Sequence, residues 1–304
     1  MARSDFVHLH THTEYSMLDG AASNERLFAE VARQGMPAVA MTDHGNMFGA
    51  YEFFQIAKKY DGNENPLVKP IIGIEAYVAP SSRHSRKQEF WGRRRGDGGD
   101  PDVEGGKDVS GGGRYTHMTM WAKNPTGLHN LFTLSSLASY EGYYMKPRMD
   151  REIISQYNEG VIASTGCPSG EVQTRLRLGQ FDEAVETAGA YQEIFGKDHY
   201  FCELMDHGVP IERQVRSDLL RLAKKIDAPL LLTNDSHYVN EDDADAHDSL
   251  LCVGVGRNKD DPNRFRFNGS GYYIKSSDEM RSLFPDMPEA ADNTLTLTEM
   301  IESY

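Results

Sequence analysis

The stretch that most limits what this chain can become is Phe6 to Gly20, FVHLHTHTEYSMLDG, in which His8, His10 and His12 alternate with Val7, Leu9 and Thr11. In an extended segment alternate side chains share a face, so three imidazoles would line one wall. Neutral imidazole is a ligand for zinc, iron and manganese, and two at i and i+2 on a strand can converge on one cation. One such histidine alone reads as a hydrogen-bonded core residue; three in alternation point to a metal site. Such a site needs further donors from elsewhere in the chain.

Candidates stand at the ends of apolar runs. Asn24 to Gln34 carries Leu27, Phe28, Val31 and Ala32 at helical spacing, with Ser23 or Asn24 as cap and Gly35 as stop. After Pro37 the run AVAM predicts a short strand ending in Thr42, Asp43, His44 and Gly45, and Lys69 to Tyr77 predicts a strand whose apolar run ends in Glu75. Further strands are expected at Thr116 to Ala122, Gly160 to Ser164, Tyr200 to Met205 and Pro229 to Asn234, and helices at Phe48 to Tyr60, Thr126 to Ser139, Ser169 to Leu178, Asp182 to Phe195 and Ile211 to Ile226. Apolar strands separated by helices imply an α/β fold with a largely parallel sheet, and about seven such strands close naturally into a barrel. His44, Glu75, Cys167, Asp235 and His237 then fall at the C-terminal rim of the strands, where barrel loops build active sites, and the same rule favours His10 and His12 over His8. His117 opens THMTMWAK and joins that rim only if its strand runs against its neighbours.

Composition bears on the partner. The 304 residues, 39% apolar and 26% charged, suit one large domain, 1–275, plus a tail, 276–304. MARSDFV is not a basic region followed by an apolar run, and no stretch reaches the length of a membrane span, so a cytoplasmic protein without membrane contact is expected. Cys167, Cys202 and Cys252 are too few and too scattered for a disulfide framework. A net charge of −14 opposes binding of nucleic acid, yet carboxylates that hold divalent cations count as negative while the cations go uncounted. Local basic patches therefore matter more. The segment 80–113 holds Arg83, Arg86, Lys87, Arg93, Arg94 and Arg95 ahead of a glycine-rich acidic run and reads as a long flexible loop insertion. Arg93, Arg94 and Arg95, with Lys146 and Arg148 beside Tyr143 and Tyr144, are the candidate contacts to DNA.

HLHTHTEYSMLDG, AMTDHGNMFGA, PIIGIEAYVAP, YTHMTM, TGCPSGEV, ELMDHG and TNDSHY, in this order, resemble the polymerase and histidinol phosphatase (PHP) domain at the N-terminus of the bacterial DNA polymerase III alpha subunit. DPNRFRFNGSGYYIKS, nearer the C-terminus, is also of the alpha-subunit type. The resemblance implies a distorted (β/α)7-type barrel with its metal site at the C-terminal rim, followed at 276–304 by a lead-in towards a polymerase core. It implies three divalent metal ions, zinc foremost, with manganese or iron admissible. On this pattern His10, His12, Glu75 and Asp235 surround the first ion, Glu75 bridges to a second held by His117 and Cys167, and Asp19, His44 and His237 hold the third. It further implies a metal-dependent 3′–5′ exonuclease that acts on the DNA primer 3′ end, with His10, His12, Glu75, Cys167 and Asp235 as the catalytic set. The parent chain would be a DNA-directed DNA polymerase, with its own core, a sliding clamp and other replisome subunits as partners.

The chemistry accounts for such residues. A phosphodiester is shielded by its own charge, so divalent ions must neutralise it, acidify water and stabilise the departing oxyanion. The expected nucleophile is water rather than Cys167, because a thiolate that holds a metal is occupied. Two rival readings are a phosphatase of the histidinol-phosphate type, against which the alpha-type blocks weigh, and a metal-stabilised scaffold that braces a polymerase and binds partners without turnover. Of the other polar residues, Glu203, Asp206 and His207 fit a rim or a polar loop. Glu14 and Tyr15 fit ligand orientation or a turn. His84, His129, His199 and His247 read as surface.

Overall fold

The apolar runs become strands in a computed structural model that describes residues 4–17, 19–92 and 109–304. They are β1 (Ala38–Met41), β2 (Lys69–Val78), β3 (Thr116–Ala122), β4 (Arg148–Met149), β5 (Val161–Ser164), β6 (Tyr200–Leu204) and β7 (Leu230–Leu232). Their order in a mixed sheet is β1-β2-β3-β5-β6-β7, with β4 paired to β2. Every residue of β1, β5 and β6 is buried, because helices cover the sheet; continuous apolar runs result instead of alternation. The helices are α1 (Asn24–Arg33), α2 (Ala50–Ala57), the single turn α3 (Ser110–Gly113), α4 (Pro125–Tyr140), α5 (Arg151–Gln156), α6 (Glu171–Arg177), α7 (Phe181–Phe195), α8 (Pro210–Ile226), α9 (Ala244–Val255), α10 (Ser277–Leu283) and α11 (Pro288–Met300). In α1 the buried stripe is Leu27, Phe28, Val31 and Ala32, as the periodicity requires. At α4, Asn124 accepts from the Gly127 N–H and Pro125 takes the first turn, where its missing N–H costs nothing. Among the described residues no helix is long and apolar enough to cross a membrane.

By internal contacts the chain divides into two units. The first comprises Met1–Ile74, Leu204–Val209 and Leu231–Glu302, the second Glu75–Glu203, Pro210–Leu230 and Ser303–Tyr304. In the first unit β1 runs parallel to β2, Ala38 opposite Lys69 and Met41 opposite Ile72. In the second, β5 and β6 are parallel while β3 is antiparallel to β5, with Trp121 opposite Ile162. That reversal settles the direction of the strand that carries His117.

One expectation about elements changes. Phe6 to His12 is extended but forms no ladder: His8 and Thr11 accept from Ala40 and Thr42 N–H, while His12 N–H donates to Ser236 and His10 accepts from it. Bonds leave the segment on alternate sides, one or two at a time, too irregularly for a strand. The tail, for which no element was expected from the pattern, is helical. Ser276 and Glu279 form a capping box at the start of α10, a signal already present in the sequence. In α11, Thr294 Oγ1 accepts from the Val7 N–H at 3.1 Å.

Candidate metal centre

In the first unit the site begins with His10 and His12, both fully buried. His12 Nε2 lies 2.9 Å and His10 Nε2 3.3 Å from Asp235 Oδ1, and the two Nε2 atoms are 3.2 Å apart. His44 Nε2 is 3.2 Å from Asp19 Oδ2. The His12 ring stacks on His44 at 4.0 Å and meets His237 at 4.3 Å, and these three histidines bring one nitrogen each within 4.8 Å of one another. Loops after strands supply the later donors: His44 follows β1, and Asp235 and His237 follow β7. Asp235 has a φ of 42°, the left-handed region that a non-glycine residue enters at a cost, so its placement is imposed by its surroundings.

Hydrogen bonds behind the rings fix which nitrogen faces the group. His12 Nδ1–H donates to Ser16 Oγ at 2.9 Å, and Ser16 in turn donates to Asp43 Oδ1 at 2.7 Å. Asp43 also accepts from the Thr13 backbone N–H at 2.7 Å and from the Thr13 hydroxyl. His237 Nδ1–H donates to the Asp235 carbonyl at 2.8 Å. Each bond leaves Nε2 as the basic nitrogen, the arrangement found where a histidine binds a metal.

The electrostatics agree. Burial first, and then the His44 and His237 rings, push the His12 imidazole down to about 3, so it is neutral with a lone pair to give. Burial alone would raise Asp19 and Asp235. The surrounding histidines outweigh it, bringing Asp19 to about 2 and holding Asp235 well below the usual carboxylate range. Asp43 is pushed up to about 6 by burial, despite its hydrogen bonds to Ser16 and Thr13 and the nearby His44 ring.

In the second unit Glu75 lies within β2 rather than at its end, fully buried three residues before Val78. His117 Nδ1 is 3.1 Å from Glu75 Oε1 and 3.6 Å from Cys167 Sγ. Cys167 follows β5, and the antiparallel register of β3 continues from Met120 opposite Ala163 to bring His117 beside Gly166. Gly166 has φ 76°, and a Cβ there would stand 3.1 Å from the His117 carbonyl oxygen. Only glycine fits that turn without strain.

The donor set fits divalent cations. Among the described residues Asp19 Oδ1, Asp235 Oδ1 and His237 Nε2 are buried with no hydrogen-bond partner, a costly state for polar atoms that coordination would relieve. Imidazole, carboxylate and thiolate together suit zinc, iron or manganese.

Other expected residues fare unevenly. His8 Nε2 contacts the Lys275 carbonyl at 2.8 Å, away from the donors. Arg148 is buried, and its guanidinium donates to the carbonyls of Gly142, Arg114, Arg83 and Ser85, so it braces the fold and has little left for phosphate. Arg83, read as part of a mobile basic loop, is instead buried against Asp150, Glu141 and Glu152. Arg93, Arg94 and Arg95 lie outside the described residues. Lys146 is exposed and its ammonium sits 5.2 Å from the Tyr77 ring centroid. Glu14 accepts from the Asn24 N–H at the start of α1, a capping role. Glu203 is buried and accepts from Ser164 and Thr119 hydroxyls, while His207 contacts the Asn234 carbonyl. His247, expected on the surface, is buried and donates to the Asp19 carbonyl at 2.7 Å. Ser16 and Asp43 were also missed as supporting residues, although both stand in the blocks that carry the histidines.

A model of the PHP domain matches residues 8–207. The chain is 61% identical over 300 residues to the DNA polymerase III subunit alpha of Saccharopolyspora erythraea, covering 98% of this chain and 24% of that protein. It is 56% identical over 305 residues to the same subunit of Mycobacterium tuberculosis, covering 100% of this chain and 25% of that protein. The chain thus spans about a quarter of the length of these curated relatives. Among solved structures, a histidinol phosphate phosphatase from Lactococcus lactis, complexed with zinc, L-histidinol and phosphate, aligns with a TM-score of 0.41 at 14% identity, covering 84% of this chain and 95% of that one. By the match over residues 8–207 and the similarity of nearly the whole of this chain to part of the alpha subunits, the chain belongs to the PHP domain family.

Proposed function

We propose that this chain is the metal-dependent 3′–5′ exonuclease domain of a DNA polymerase III alpha subunit, cytoplasmic, acting on the primer 3′ terminus. The observation that carries the reading is the contact among His10 Nε2, His12 Nε2 and Asp235 Oδ1 at 2.9 to 3.3 Å, with the His12 Nδ1–H committed to Ser16 so that its Nε2 lone pair faces the group. Bound divalent ions, three of zinc by the family pattern, would neutralise the phosphodiester and acidify a water molecule. His10, His12 and Asp235 would hold the first ion, His44, His237 and Asp19 another, and His117, Cys167 and Glu75 a third. Ser16 and Asp43 keep His12 neutral on its Nε2 face, and His247 steadies the backbone of Asp19. Residues 1–275 would form the catalytic barrel and 276–304 the approach to the polymerase core of the parent DNA-directed DNA polymerase, which would also meet a sliding clamp and other replisome subunits.

Elemental analysis together with primers labelled at one end or the other tests the reading. Three equivalents of metal, loss from the 3′ end, faster cutting of mismatched termini and abolition by chelator or by His12→Ala are expected. Cutting that begins at the 5′ end, or persists unchanged in chelator, overturns it. Metal retained without any turnover would leave the scaffold reading.

A further inference from the structure

The second unit carries a surface that the donor groups do not use, the turn joining α4 to β4. The Tyr144 ring lies among three guanidinium groups, with the Cζ atoms of Arg148, Arg114 and Arg86 at 5.1, 5.5 and 5.8 Å from its centroid. Lys146 continues the line over Tyr77, whose ring meets Tyr115 at 4.7 Å and His117 at 5.2 Å. Neighbouring Arg83 and Arg151 are paired with carboxylates. Among the described residues no carboxylate lies within 4.0 Å of the charged groups of Arg86, Arg114 or Lys146. In a chain of net charge −14 such a strip is a local positive field in a repelling surround. Rings are presented beside it: Tyr143 is 57% exposed and Tyr140, at the end of α4, is 88% exposed. Met145 holds the turn open with φ at 66°, a conformation a non-glycine residue adopts under constraint, and Tyr144 N–H closes it on the Lys146 carbonyl.

We propose that this turn is a binding track for an unpaired polynucleotide strand, with bases stacked on Tyr140 and Tyr143 and phosphates met by Arg86, Arg114 and Lys146, leading past Tyr115 to His117. Exposed rings beside cations that meet no carboxylate among the described residues are what a single strand requires, since a duplex hides its base faces and presents phosphates alone. Buried Arg148 supports the Tyr144 ring from behind. The direction of travel rests on the hydrolytic reading above; the binding does not.

Anisotropy of a dye-labelled short oligodeoxythymidine, titrated with the 304-residue chain in chelator so that nothing is cut, tests the track. Tyr143→Ala should weaken binding by roughly fivefold to a hundredfold. Removing Arg86 and Lys146 together should flatten the slope of log affinity against log salt by about 1.4, two phosphate contacts on a single strand. Lys58→Ala, which removes a similar cation over Phe54 on α2, should change nothing, and circular dichroism should match wild type throughout. The proposal is overturned if the track variants bind as wild type does, if a duplex binds as tightly as the strand, or if polyglutamate displaces the strand at equal charge. A chain that binds the strand through these residues yet never cuts it keeps the track and overturns the hydrolytic reading alone.

Discussion

In the first unit the donors sit on backbone that belongs to no regular strand, whereas in the second two of the three ride on the sheet. His10 and His12 lie on an extended segment without a ladder, and Asp19, His44, Asp235 and His237 lie in loops. Side chains hold them: the relay from His12 through Ser16 to Asp43, the His247 bond to Asp19, and Asn234, whose amide donates to the Gly271 and Tyr273 carbonyls. Glu75 and His117 are instead placed by β2 and β3, and Cys167 by the Gly166 turn. Where main-chain pairing does not position a donor, a buried polar network must, and such networks are fragile because a lost partner strands the others.

The largest expected effect follows from that contrast. Asp43→Ala removes the acceptor of three buried donors, from the Thr13 backbone, the Thr13 hydroxyl and Ser16. Denaturant unfolding should show a loss of about 3 kcal/mol, and a loss within about 0.5 kcal/mol would break the comparison. Next comes Ser16→Ala, which leaves the His12 ring free to turn. Zinc titration should find affinity at the first unit's group reduced about 10- to 100-fold while the Glu75, His117 and Cys167 group titrates as before. Equal weakening of both would show that the two groups do not depend on separate supports. Gly166→Ala sharpens the other side: forcing a Cβ into the left-handed region against His117 should cost about 1 to 2 kcal/mol and weaken metal binding at Cys167 alone. The smallest effect is a labelling difference. Burial pushes the Cys202 thiol up to about 12, so a thiol reagent should leave it untouched in the folded chain, whereas Cys167 should become reactive once chelator removes its metal. Labelling of Cys202 at neutral pH would contradict its burial within β6.

The candidate donors were legible because each stands in a short block whose residue types already suit coordination, and because strand ends can be read from where an apolar run stops. Glu14 and the basic residues were ambiguous for the same reason: a local pattern states that a cation or an acid is present, never what it will meet. Arg83 and Arg86 stand three residues apart in one polar stretch, yet the first is buried against Asp150 and Glu152 while the second remains exposed.

By itself the sequence determined the alternating histidines, the apolar strands, the helical stripe of α1 and the family blocks, because side-chain periodicity encodes which face is buried within a few residues. Only the tertiary structure decided that β3 runs against β5 and so carries His117 to Cys167, that Arg148 is consumed by four carbonyls, and that His247 leaves the surface to hold Asp19. Each of these turns on partners that folding brings from distant positions, up to 228 residues away for His247 and Asp19, and no local period records such a pairing.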